Sequence, residues 1–72
     1  MSKKMSKKQF VETVLSETIH EASHNFDHLE YDEEREYVII VCENGTRYDV
    51  NVACDSHLAI IQDVIRVALR HA

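Results

Sequence analysis

Apolar residues fall into three blocks along the chain, each with its own spacing. In the first, over residues 9–29, Val11, Leu15, Ile19, Ala22, Phe26 and Leu29 recur three or four positions apart, with Phe10 and Val14 on one flank. That spacing draws one stripe on a helix, and neither Pro nor Gly interrupts it, so it predicts a single helix over 9–29, capped by Ser6. The second block, Tyr37-Val38-Ile39-Ile40-Val41-Cys42, is β-branched and aromatic and is followed after one residue by Asn44-Gly45. It predicts a strand, a tight turn and a return strand over 46–53.

Read as a two-residue type I′ loop, Asn44-Gly45 sets Val41 against Tyr48, Ile39 against Val50 and Tyr37 against Val52. One face of the hairpin is then wholly apolar. The other pairs Val38, Ile40 and Cys42 with Asn51, Asp49 and Arg47. The third block predicts a second helix, capped by Asp55 or Ser56 and running to about residue 71, with Leu58, Ile61, Ile65, Ala68 and Leu69 on its core stripe. Ile60, Val64 and Val67 widen its apolar arc to about 200°, twice the ~100° that packing on one side requires.

These elements give an α+β fold, a small two-layer α-β-β-α domain whose antiparallel hairpin, turning at Asn44-Gly45, is covered by two helices. Residues 1–8 read as a flexible basic N-terminal tail and 9–72 as the single domain, the only one a chain of 72 residues can hold. A two-stranded sheet is marginal alone. The surplus apolar surface therefore predicts a homodimer, with Val38, Ile40 and Cys42 of the sheet and Ile60, Val64 and Val67 of the second helix at its interface.

Charge sharpens the picture. The formal net charge is −5, but all four lysines, Lys3, Lys4, Lys7 and Lys8, lie in the first eight residues; the rest carries 13 Asp+Glu against four arginines, a formal −9. A body so acidic argues against direct nucleic-acid binding, which needs a basic face to neutralise phosphates, and points to a protein partner with a basic surface. Glu30, Tyr31, Asp32, Glu33, Glu34 and Glu36 form the candidate partner-binding segment, with five acids in seven residues that predict a solvated connector. It lacks the central Gly of helix-loop-helix calcium sites. Cys42 and Cys54 read as free thiols of a cytoplasmic protein, in a chain with no apolar run of membrane-spanning length and no secretory leader.

The most specific chemical motif is His20-Glu21-Ala22-Ser23-His24, which resembles the H-E-x-x-H helix of zincin metalloproteases. On a helix, histidines four apart face the same way and can share a zinc ion, with the intervening Glu as general base on bound water; His28 continues the row. A zincin also needs a third ligand from elsewhere and a cleft, for which this chain has no room. His20, His24 and His28 are thus candidate metal ligands without a predicted catalytic residue. Cys42 or Cys54 with His57 lacks an oxyanion-hole segment, and the single glycine excludes glycine-rich phosphate loops. Arg47, Arg66 and Arg70 are candidate contacts for an anionic ligand such as a nucleotide at a dimer seam.

The expectation is a small acidic, non-enzymatic, protein-binding module of unknown function with no cofactor, acting as a homodimer in the manner of an inhibitor or adaptor. Its size and charge resemble phage-like and mobile-element accessory proteins. Zinc binding through the histidine row, as a metal protein or minimal metallohydrolase, is the first alternative, and nucleotide binding the second.

Overall fold

The first apolar block makes two elements where one long helix was expected. In the computed structural model, which describes residues 6–71, helix α1 comprises Lys7–Gln9, Phe10–Leu15 and Ser16–Ala22, and ends there. Strand β1, Phe26–Asp32, follows after a turn. The alternation His28-Leu29-Glu30-Tyr31-Asp32 has the period of a strand: Leu29 and Tyr31 are buried, while Glu30 and Asp32 point the other way. The first three residues of the acidic segment, 30–32, are therefore strand, and residues 33–36 form the connector.

Strands β2, Tyr37–Cys42, and β3, Arg47–Asn51, complete an antiparallel sheet in the order β1-β2-β3. Helix α2, His57–His71, closes the chain. The domain is a small α+β fold of two helices on a three-stranded sheet. The third strand comes from the chain itself, so the two-stranded sheet that motivated completion by a second copy is not present.

Ser6 caps α1 as the sequence predicts, its side chain accepting from the Gln9 N–H. Lys7 and Lys8, assigned above to a flexible tail, belong to the helix; the rest of that tail, residues 1–5, lies outside the described residues. The middle of α1 is π-helical, with the Ser16 N–H reaching back five residues to the Val11 carbonyl. Residues four apart drift by about 40° per step on an α-helix, and the wider π turn offsets that drift. Val11, Leu15 and Ile19, spaced by four, consequently all remain over the sheet.

The hairpin register differs by one residue from the predicted one. Cys42 N–H donates to the Thr46 carbonyl at 2.8 Å and Gly45 N–H to the Cys42 carbonyl at 3.0 Å, which makes a three-residue loop of Glu43, Asn44 and Gly45. Only Gly45 takes a positive φ, +91°, so the loop is a type I turn closed by a glycine bulge rather than a type I′ turn. Val41 then faces Arg47, Ile39 faces Asp49 and Val38 faces Val50. A slip of one residue exchanges the two faces of a strand. Val38 and Ile40, predicted at a dimer interface, are fully buried within the monomer, and Cys42 is half-buried against that core.

The facing of α2 also differs in part from the predicted one, although Ile61 and Ala68 of the predicted stripe do meet the core. Ser56 caps it, its hydroxyl accepting from the Ala59 N–H. Ile60, Val64 and Ala68 are buried, whereas Leu58, Ile65 and Leu69 of the predicted core stripe are 65, 38 and 73% exposed. Ile60, Val64 and Val67, predicted at the interface, instead form or pack against the core. An arc of about 200° permits either facing, and the sheet decides between them.

Both helices lie on the sheet face that carries Leu29, Tyr31, Val38, Ile40 and Val50. Helix α1 also shields the outer edge of β1. The Ser16 hydroxyl accepts from Leu29 N–H at 2.9 Å and the Glu12 carboxylate from Tyr31 N–H at 3.0 Å. These two donors would otherwise form an open strand edge.

Candidate functional site

With both helices on one side, no other element among the described residues covers the opposite face of the sheet, the uncovered face. The two ladders set nine side chains there in three rows: Asp32, Tyr37 and Asn51; Glu30, Ile39 and Asp49; His28, Val41 and Arg47. A half-buried apolar stripe on β2 thus runs between polar and charged borders on β1 and β3. Arg47 Nη2 reaches across β2 to Glu30 Oε1 at 2.7 Å, which helps to shield Ile39 and Val41 from water.

From Glu30 the charge network continues along β1. His28 Nε2 lies 2.9 Å from the other Glu30 oxygen and His28 Nδ1 lies 2.7 Å from Asp27 Oδ2. Carboxylates only accept, so protonated His28 donates from both ring nitrogens, and the two anions favour that imidazolium form. Glu30, and then Asp27, raise the His28 pKa above the ordinary imidazole value. In return His28 lowers the Asp27 pKa, and His28 followed by Arg47 lowers that of Glu30. The stability carried by His28 is present below its ordinary pKa and lost as pH rises through the elevated one; that carried by Asp27 and Glu30 is lost as pH falls through their depressed values. The cluster therefore contributes most at about pH 5–6. Denaturation midpoints should fall from there toward alkaline pH, by a small amount because the groups are exposed, and His28→Gln should flatten that slope. An unchanged slope would contradict this assignment.

The predicted metal row is divided among three settings. His20 is in the last turn of α1, His24 in the turn beyond the helix and His28 on β1, so the helical geometry that a zincin motif requires ends at Ala22. His20 has other neighbours. Its Nδ1 is 2.9 Å from the Phe26 carbonyl, and ligand atoms of His20, Asp27 and Glu43 all lie within 4.8 Å of one another. Asp27 is the residue at which the β1–β2 register shifts, and such bulges re-aim side chains. A sequence gives no sign that three residues this far apart converge, since the convergence depends on that bulge and on Glu43 N–H donating to the Asn25 carbonyl at 2.9 Å.

Of the predicted partner-binding residues, Glu30 and Asp32 border the uncovered face and Glu33 and Glu34 are exposed in the turn beside it. Tyr31 is in the core, where burial, then Glu36 and Glu33, raise its phenol pKa. Glu36 closes the turn at a φ of 58°. The three arginines do not converge: Arg47 pairs with Glu30 on the uncovered face, while Arg66, on α2 behind the sheet, lies 3.8 Å from Asp63, and Arg70 is one turn further along α2. Both cysteines are free, Cys42 half-buried and Cys54 exposed. No helix among the described residues is long and apolar enough to cross a membrane. No family model, curated protein or solved structure matches this chain.

Proposed function

We propose that this protein is a small non-enzymatic binding module that docks through the uncovered sheet face on a basic surface of another protein. The observation that carries the reading is the composition of that face: an apolar stripe of Tyr37, Ile39 and Val41 bordered by Glu30, Asp32 and Asp49, with its arginine already paired to Glu30. Apolar contact at the centre supplies affinity, and the acidic border selects a cationic partner and speeds encounter. The exposed Glu33 and Glu34 extend that border.

The module acts as a homodimer joined through α2. Leu58, Ile65 and Leu69 form an exposed stripe at helical spacing, and pairing two such stripes removes them from water while leaving both sheet faces outward. Two outward faces make the dimer bivalent toward its partner.

Affinity capture from source cells tests the docking face, and light scattering tests the dimer. Wild-type protein should retain a basic protein at low salt and release it as salt rises. Asp32→Lys combined with Asp49→Lys should lose it, whereas Glu17→Lys with Glu21→Lys on α1 should not. Equal retention by both double variants would overturn the reading. Light scattering over a dilution series should give a dimer for wild type and a monomer for Leu58→Glu with Leu69→Glu; a wild-type monomer at tens of micromolar would overturn the α2 interface.

A further inference from the structure

We propose that His20, Asp27 and Glu43 form a divalent transition-metal site, zinc being the ion that suits it best; none of the three is among the side chains of the docking face, and the site does not rest on the docking reading. Each ligand comes from a different element: the last turn of α1, the bulge of β1 and the loop between β2 and β3. Their exposed donor atoms lie within 4.8 Å of one another, where the ligands of a tetrahedral zinc ion with bonds of about 2.0–2.1 Å stand roughly 3.3 Å apart. Small rotamer changes in exposed side chains close that difference.

Two of the three ligands are already oriented from behind. The Phe26 carbonyl can only accept, so His20 Nδ1 carries the proton that bonds to it and Nε2 keeps its lone pair for a metal. Asp27 accepts at Oδ2 from His28 Nδ1 at 2.7 Å, and its carboxylate also meets that of Glu43. His28 is in turn fixed by Glu30, and Glu30 by Arg47. Metal ligands are commonly held by such outer hydrogen bonds, which set tautomer and direction.

The donor set selects the ion class. One imidazole nitrogen and two carboxylates suit zinc and its neighbours, whereas calcium takes six to eight oxygens and magnesium an octahedron of oxygens. Two carboxylates also balance the charge of a divalent cation, which replaces their mutual repulsion with attraction. A bound ion would tie the end of α1 to β1 and to the loop that follows β2, and stabilise the fold by mass action.

The test uses the full chain without an affinity tag, titrated with zinc by calorimetry and with cobalt(II) by visible absorption. The expected result is one ion per chain with a micromolar dissociation constant and a cobalt spectrum free of thiolate charge-transfer bands. Asp27→Asn, Glu43→Gln and His20→Ala should each weaken binding by about 10-fold or more, and His24→Ala should not. Glu43→Gln keeps the side-chain shape and carries the test if His20→Ala, which also loses the Phe26 bond, fails to fold. Absence of binding at millimolar zinc, unchanged affinity in Glu43→Gln, loss of affinity in His24→Ala or a thiolate band would each overturn the site.

Discussion

Replacing Ile40 by alanine is expected to destabilise the protein by about 2–5 kcal/mol, while the same change at Ile39 costs about 1 kcal/mol or less. Ile40 is fully buried between the sheet and the helices; Ile39, its neighbour in the chain, lies half-buried on the uncovered face. A core in a domain this small supplies no more than about 3–5 kcal/mol in total, so Ile40→Ala leaves much of the chain unfolded. Urea denaturation followed by circular dichroism measures both. Similar losses for the two variants, or a larger loss at Ile39, would mean that the helices cover the other face.

The second large effect is expected at Ser16. Its buried hydroxyl is the acceptor for the Leu29 N–H on the outer edge of β1, and Ser16→Ala leaves that buried donor without a partner at a cost of about 1–3 kcal/mol. Glu12→Gln keeps an acceptor oxygen for the Tyr31 N–H and should cost a few tenths of a kcal/mol, about the size of an ordinary surface change. Amide hydrogen exchange resolves the mechanism: Leu29 should lose protection in Ser16→Ala relative to its neighbours on β2. If Leu29 stays as protected as in the wild type, α1 does not shield this edge.

The elements of the fold were mostly legible in the sequence and their facing was not. The β2–β3 hairpin and α2 lie where β-branched content, the Asn-Gly turn and helical spacing predict them. The facing failed where two readings had equal local support. Asn44-Gly45 fits a type I′ pair as well as the last two residues of a three-residue loop, and one residue of difference reverses the facing of β2 while Tyr48, Val50 and Val52 of the return strand stay on the core side as predicted. On α2, an apolar arc wide enough to face either way contains no instruction of its own. Strand β1 was missed because Phe26 and Leu29 continue the helical spacing of α1, and the alternation that marks them as strand is confined to residues 28–32. The net acidity was visible from composition, but the side on which Glu30 and Asp32 emerge was set by tertiary pairing.

Both the docking face and the metal cluster depend on the same register, because it turns Ile39 and Val41 away from the helices and places Glu43 as the first residue of the loop. In an antiparallel pair, facing residues that do not exchange hydrogen bonds bring their α-protons close together, with α-carbons about 4.5 Å apart. The measurement that tests the register most directly is therefore the set of α-proton to α-proton nuclear Overhauser contacts across the hairpin. The structure predicts Val41 with Arg47 and Ile39 with Asp49. Contacts of Cys42 with Arg47 and Ile40 with Asp49 would instead report the two-residue loop, put Ile39 in the core and contradict the face on which the proposed function rests.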